Sequence, residues 1–140
     1  MDELKLLYGI ENVHFDKLTT MLSGAYWTPG IHLEELRKAA ENSAVVVSAF
    51  LNEDQIGFCR AVSDKTRFAY IMDVFVDERY RRRGVGLKML KYLMANDELK
   101  TVYQWFLLTR YAHGFYKKLG FQDFSRPNDI LEFPRTHNAR

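Results

Sequence analysis

Phe68-Ala69-Tyr70-Ile71-Met72-Asp73-Val74-Phe75-Val76-Asp77-Glu78-Arg79-Tyr80-Arg81-Arg82-Arg83-Gly84-Val85-Gly86-Leu87 carries the chain from one periodicity into another. Phe68 to Val76 is rich in β-branched and aromatic residues, nearly free of charge, and of a length that suits an interior strand. Beyond the turn, Leu87, Leu90, Leu93 and Met94 recur at helical spacing with Lys88 and Lys91 on the other side, which predicts a helix over 84–95. Four arginines and two glycines fill the turn between them. The first N–H groups of a helix have no internal partner and the helix dipole adds partial positive charge there, so such a turn suits an anion. Gly84 and Gly86 carry no side chain to hold a phosphate away from the amides, and Arg81, Arg82 and Arg83 add charge and forked donors. A solvated basic turn whose glycines only serve the bend is the plainer alternative. Neither GxGxxG nor GxxxxGK[ST] is present, so Rossmann and P-loop binding are not indicated.

Working outward, Ala44 to Leu51 and Ile56 to Val62 read as strands joined by the polar turn Asn52 to Gln55, and Ser63 to Thr66 turns the chain into Phe68 to Val76. These three form an antiparallel meander. Ahead of them, Leu4 to Tyr8 reads as an edge strand. Leu18, Met21, Leu22 and Ala25 mark a first helix with Asn12 or Asp16 as its cap, and His32 to Glu41 a second, with Pro29-Gly30 between them. After the helix at 84–95, Val102 to Leu108 reads as a strand parallel to Phe68–Val76, reached by a crossover. Tyr111 to Leu119 is a short helix closed by Gly120, and Phe121 to Phe124 and Ile130 to Phe133 are candidate closing strands. The order is β-α-α-β-β-β-α-β-α-β, with room for one more strand: an α/β (α+β) fold with a mixed, mostly antiparallel central sheet flanked by helices.

Composition narrows the classes. A chain of 140 residues that is 47% hydrophobic suits one domain, 1–140, with one core. Its 20 basic and 18 acidic residues leave a net charge of only +2, so the arginine turn is a local concentration and nucleic acid is not an expected partner. The single cysteine, Cys59, fits a reducing compartment. No apolar run nears the roughly eighteen residues that cross a bilayer, and Met1-Asp2-Glu3 is unlike the basic start of a signal peptide; a soluble, cytoplasmic protein without a membrane partner is the expectation. His14, His32 and His137 show no metal-ligand spacing with one another or with Cys59, so no metal is expected.

Arg81-x-x-Gly84-x-Gly86, after Val74-Phe75-Val76, resembles the acetyl-CoA pyrophosphate motif (Q/R-x-x-G-x-G/A) of the GNAT superfamily of N-acetyltransferases. Ala112-His113-Gly114-Phe115-Tyr116-Lys117-Lys118-Leu119-Gly120-Phe121 is similar to that family's second signature, A-x-x-F-Y-x-x-L-G-F. The Tyr26-Trp27, Phe68-Ala69-Tyr70 and Thr109-Arg110-x-Ala112-His113-Gly114 segments resemble a subgroup of small bacterial GNAT proteins. The resemblance implies the same strand order and an acyltransferase (EC 2.3.1.-) that moves an acetyl group from acetyl-CoA to a primary amine by direct attack. It also implies that the strand ending at Val76 splays from its parallel neighbour, that the Val74 N–H faces the thioester carbonyl, and that Val76 pairs with the pantetheine arm beside Phe75. Main-chain amides from Arg81 through Arg82, Arg83, Gly84, Val85 and Gly86 to Leu87 would hold the pyrophosphate. Tyr116 stands in the position of the acid that returns a proton to the departing thiolate.

The general base is left open. Asp73, the one carboxylate inside the strand, is either a substrate-facing catalytic group or a hydrogen-bonded structural one. Tyr70 occupies the place where several histone-modifying relatives carry a glutamate, which departs from their pattern. Trp27, His32, Tyr70 and Arg110 are weaker candidates for contact with the acceptor, a small-molecule or peptide amine. A non-catalytic acyl-CoA sensor or structural module is the alternative function, a longer acyl-CoA an alternative donor, and a homodimer is common in the family.

Overall fold

The computed structural model describes residues 3–137. It comprises two compact units, which meet in sequence between Leu108 and Thr109. The first unit holds β1 (Leu4–Tyr8), α1 (Phe15–Ser23), α2 (Leu33–Glu41), β2 (Val45–Leu51), β3 (Asp54–Ser63), β4 (Phe68–Val76), α3 (Val85–Met94) and β5 (Gln104–Leu107). The strands lie in chain order across one sheet. Every neighbouring pair is antiparallel except β4 and β5, which run parallel around α3. This is the mixed, mostly antiparallel sheet that the pattern calls for.

Turn chemistry sets the hairpins. Asn52 takes the left-handed conformation between β2 and β3, a role for which asparagine is suited. Between β3 and β4 the Asp64 carboxylate accepts the N–H groups of Arg67, Thr66 and Phe68 at 2.8, 3.0 and 3.2 Å. Those donors, Arg67 first and Thr66 next, pull its pKa down to about 2.

Residues directly opposite in an antiparallel sheet share a face, and this register assigns the helices. Phe58, opposite Phe75, packs with Val46 against Phe15, Leu18, Leu22, Leu36 and Ala40 of α1 and α2. Gly57 and Cys59 alternate to the other face, where Met89 of α3 meets both. Burial raises the Cys59 thiol far above its ordinary range, so it is a small core hydrophobe and not a nucleophile. Leu18, Leu22 and Leu36 are fully buried, each stabilising the fold by about 1.5–3 kcal/mol relative to exposure.

Two sequence expectations differ from what forms. Neither Asn12 nor Asp16 caps α1: His14 stands at the N-cap without a side-chain bond. The Asn12 amide instead donates to the Tyr8 carbonyl at 2.8 Å, while Asp16 lies in the first turn, where its charge favours the helix dipole. In the second unit, α4 (His113–Lys117) is followed by irregular chain, and neither 121–124 nor 130–133 forms a strand. A strand needs a neighbour to satisfy its backbone, and this unit contains no other strand among its described residues. Ile130, Leu131 and Phe133 stay exposed.

Candidate active site

The site begins at a fault in β4. Phe75 faces Phe58 and Met72 faces Arg60, so Asp73 and Val74 together oppose the single residue Cys59. This is a β-bulge, and it reverses the alternation of the strand. Ala69 and Ile71, before it, lie on the face opposite that of Met72, whereas Phe75, after it, joins the core under α1 and α2. Asp73 adopts φ 55°. A left-handed conformation costs an L-residue about 1–2 kcal/mol, and Asp is among the side chains that tolerate it best.

Asp73 is buried and both its oxygens are engaged. Arg60 Nε donates to Oδ2 at 2.8 Å and Trp27 Nε1 to Oδ1 at 3.0 Å, and the side chains of Arg60 and Asp73 are only 8% and 4% exposed. Arg60 Nη1 also donates to Ser43 Oγ at 3.3 Å, just beyond α2. Of the two roles that the sequence leaves open for Asp73, this geometry matches the hydrogen-bonded one. Arg60 was not singled out in the sequence, although a lone arginine inside the apolar run Ile56 to Val62 demands a buried partner. The one carboxylate on the next strand was the clue.

Just before the bulge, the pairing of β4 with its parallel neighbour stops. Pairing with β5 ends at Ile71 opposite Leu107, so Met72 to Val76 has no described strand on that side. Val74, Phe75 and Val76 are half-buried. The Val76 carbonyl is taken by Arg81 Nε at 2.8 Å, and the same guanidinium lies 5.0 Å over the Phe75 ring.

The turn after β4 is shaped by its own charges. Asp77 accepts the Arg79 N–H at 3.0 Å and holds the Arg79 guanidinium through Nε at 3.2 Å and Nη2 at 3.0 Å. That pairing keeps the Asp77 carboxyl below the usual carboxylate range. Tyr80 lies between Arg79 and Arg83, whose guanidinium carbons are 5.3 and 5.6 Å from its ring centre. Arg82 is left-handed at φ 65° and Gly84 at φ 81°. Gly84 is the N-cap of α3 and supplies no side-chain cap, the first turn holds no acidic residue, and a Cβ built on Gly84 would meet nothing within 4 Å. The α3 N-terminus is therefore open, with Arg82 and Arg83 exposed beside it and unpaired with any described carboxylate.

The remaining candidates separate. Trp27 is 41% exposed and stacks edge-on with Tyr26, their ring centres 5.1 Å apart, while its indole N–H reaches the bulge. Tyr70 is half-buried on β4, and burial raises its phenol above the ordinary range, with Arg60 opposing and Asp73 adding to the effect. His32 is the exposed N-cap of α2, without a side-chain bond. Arg110 and Tyr116 belong to the second unit. There α4 ends in a Schellman cap: Phe121 N–H donates to the Tyr116 carbonyl at 3.3 Å, Gly120 N–H to that of Lys117 at 3.1 Å, and Gly120 takes φ 100°. The cap fixes the Tyr116 ring edge-on between Phe115 at 5.0 Å and Phe121 at 6.0 Å.

A family model described as an acetyltransferase (GNAT) domain matches residues 41–123, more than half of the chain. The chain belongs to the GNAT family of acetyltransferases. Among solved structures it resembles a GNAT-family protein from Xanthomonas campestris pv. campestris with a TM-score of 0.87 and 28% identity, covering 96% of this chain and 95% of that one. A Streptococcus pneumoniae GNAT-family protein shares the fold with a TM-score of 0.74 at 23% identity, covering 98% of this chain and all of that one. So does a Clostridium acetobutylicum protein whose structure contains acetyl-CoA, with a TM-score of 0.72 at 19% identity, covering 94% and 96%. No curated protein matches the chain.

GNAT acetyltransferases use acetyl-CoA, and the residues present fit a diphosphate-bearing ligand. The open α3 N-terminus, the bare position over Gly84 and the cationic side chains of Arg82 and Arg83 are what an anion requires. Beyond its last pairing with β5, β4 also runs on from Met72 to Val76 without a described strand beside it. Among the described residues no group of three metal-ligating side chains occurs, and no helix is long and apolar enough to cross a membrane.

Proposed function

We propose that this GNAT chain is an acetyl-CoA-dependent N-acetyltransferase acting on a primary amine of a small molecule or peptide. The observation that carries the reading is a β4 that continues beyond its last pairing with β5 at Ile71, together with an uncapped α3 N-terminus at Gly84. Acetyl-CoA supplies the activated acyl group. Main-chain amides between Arg81 and Leu87, with the charge of Arg82 and Arg83, hold its diphosphate. The backbone of Val74, Phe75 and Val76 lines the pantetheine arm, and the Val74 N–H donates to the carbonyl oxygen that gains charge. A donor fixed in this way lowers the barrier by about 2.7–4 kcal/mol.

Tyr116 is the proton donor to the leaving thiolate, a task that suits a phenol neutral at pH 7. Asp73 is not assigned the base's role, because both of its carboxylate oxygens are already engaged, by the Arg60 guanidinium and the Trp27 indole. Tyr70, held protonated by burial, does not take it either. Solvent at the open side of β4 accepts the ammonium proton. Trp27 and Tyr26 form the exposed aromatic wall of the acceptor side.

Calorimetry with acetyl-CoA, alongside release of free CoA thiol across a panel of polyamines, aminoglycosides, amino acids and peptides, tests the reading. Binding together with thiol release on one amine class is expected. Binding without release on any amine supports a non-catalytic acyl-CoA sensor instead, and absence of binding removes both.

A further inference from the structure

We infer that Asp73 is a positioning residue for acyl transfer: clamped between Arg60 and Trp27, it holds the bulge that aims the Val74 N–H and ties that bulge to the α1–α2 loop. The inference rests on the proposed role of Val74 as donor to the thioester carbonyl.

Three observations converge on it. First, Asp73 is the residue of β4 that takes the left-handed conformation, and its neighbour Val74 shares the bulge opposite Cys59. The direction of the Val74 N–H is therefore set by how firmly Asp73 is held. Second, the hold comes from elements far apart in sequence. Arg60 reaches from β3, Trp27 from the loop between α1 and α2, and Ser43 steadies Arg60 from the end of α2. Third, a buried ion pair is a poor device for stability alone, because apolar residues of similar volume commonly do as well or better. Its placement at a bulge, where an apolar pair would leave the strand free to return to regular pleating, fits a role in fixing one backbone geometry.

The indole adds a link to the acceptor side. Trp27 bonds to Oδ1 while its ring stays 41% exposed and packs 6.4 Å from Phe75. A molecule resting on that ring presses on the same side chain that steadies the bulge.

The test uses acetyl-CoA labelled with ¹³C at the thioester carbonyl, whose resonance moves when the oxygen accepts a hydrogen bond. Wild-type protein is expected to displace the resonance from its free position. Asp73→Asn removes most of the displacement and Trp27→Phe a clear part of it, with calorimetric affinity for acetyl-CoA kept within about threefold. Trp27→Phe leaves the Arg60–Asp73 pair in place and carries the test if Asp73→Asn does not fold. Full displacement in Trp27→Phe, or in a folded Asp73→Asn, overturns the inference, and so does joint loss of displacement and binding, which marks general loosening. If wild-type protein binds without displacing the resonance, the Val74 assignment itself fails and the inference falls with it.

Discussion

Gly84 sits at φ 81° with open space where a Cβ would stand, so Gly84→Ala meets no clash and pays only for the backbone, about 1–2 kcal/mol. A melting temperature lowered by a few degrees, with weaker calorimetric binding of acetyl-CoA as the turn relaxes, is the expected outcome. Tyr116 makes the complementary case. Its ring packs between Phe115 and Phe121, and Tyr116→Phe keeps that packing while removing the hydroxyl. Turnover on an accepted amine should fall about 10²-fold, the usual worth of a proton donor, with the acetyl-CoA affinity intact. The Gly84 turn was legible in the sequence, because a glycine between a strand and a helix marks the bend locally, whereas Tyr116 was singled out by the resemblance of its segment to a family signature. Asp73 was legible as an odd carboxylate only. Its left-handed φ arises from pairing with β3, and its partners lie 13 and 46 residues away, so no local pattern records them.

The strands and helices of the first unit were read with ends off by a residue or two, since periodicity of 2 or 3.6 speaks of which face is buried and not of where capping stops. The closing strands failed for a different reason: β-type composition at 121–124 and 130–133 names no partner edge. Between elements, the contact that matters most for the site is α3 on β3. A Cβ at Gly57 would lie 2.8 Å from Met89 Sδ and 3.2 Å from the Phe75 carbonyl, which presses on both the helix bearing Gly84 at its start and the opened strand. Gly57→Ala is expected to cost about 1–3 kcal/mol through overpacking, read as a lower midpoint in urea, and to weaken acetyl-CoA binding although residue 57 is not assigned to it. At the β3–β4 hairpin, Asp64 has its pKa lowered to about 2 by three backbone donors. A depressed folded pKa means that its contribution is present above the unfolded value near 3.8 and is lost as pH falls through about 2. Thermal melts of wild type and Asp64→Ala should therefore differ at pH 6 and converge towards about pH 2.

Over the whole chain the formal charge is only +2, yet four arginines crowd into residues 79–83. Such crowding repels itself unless something offsets it, and within the turn one charge meets carboxylates while a second guanidinium is turned onto a backbone carbonyl, which orients it without neutralising it. Arg79 is spent on Asp77, with Asp54 at 3.7 Å, and Arg81 on the Val76 carbonyl. Arg82 and Arg83 are left as cations beside the uncapped α3 N-terminus, in a molecule whose balanced remainder offers no broad positive field. The attraction for a diphosphate is therefore short-ranged and carried by two side chains and the helix amides, with screening set by a Debye length of about 10 Å at 0.1 M salt. Acetyl-CoA affinity should fall as salt is raised from about 0.05 to 0.5 M, and Arg82→Gln/Arg83→Gln should weaken it about tenfold or more at the low end while flattening that dependence. Arg79→Gln should instead lower thermal stability and leave the salt slope as it is, because its charge is already answered by Asp77. Calorimetric titrations at three ionic strengths separate the cases: an unchanged slope in the double variant places the diphosphate away from this turn, whereas a flattened slope in Arg79→Gln shows that Asp77 gives up its arginine when the ligand binds.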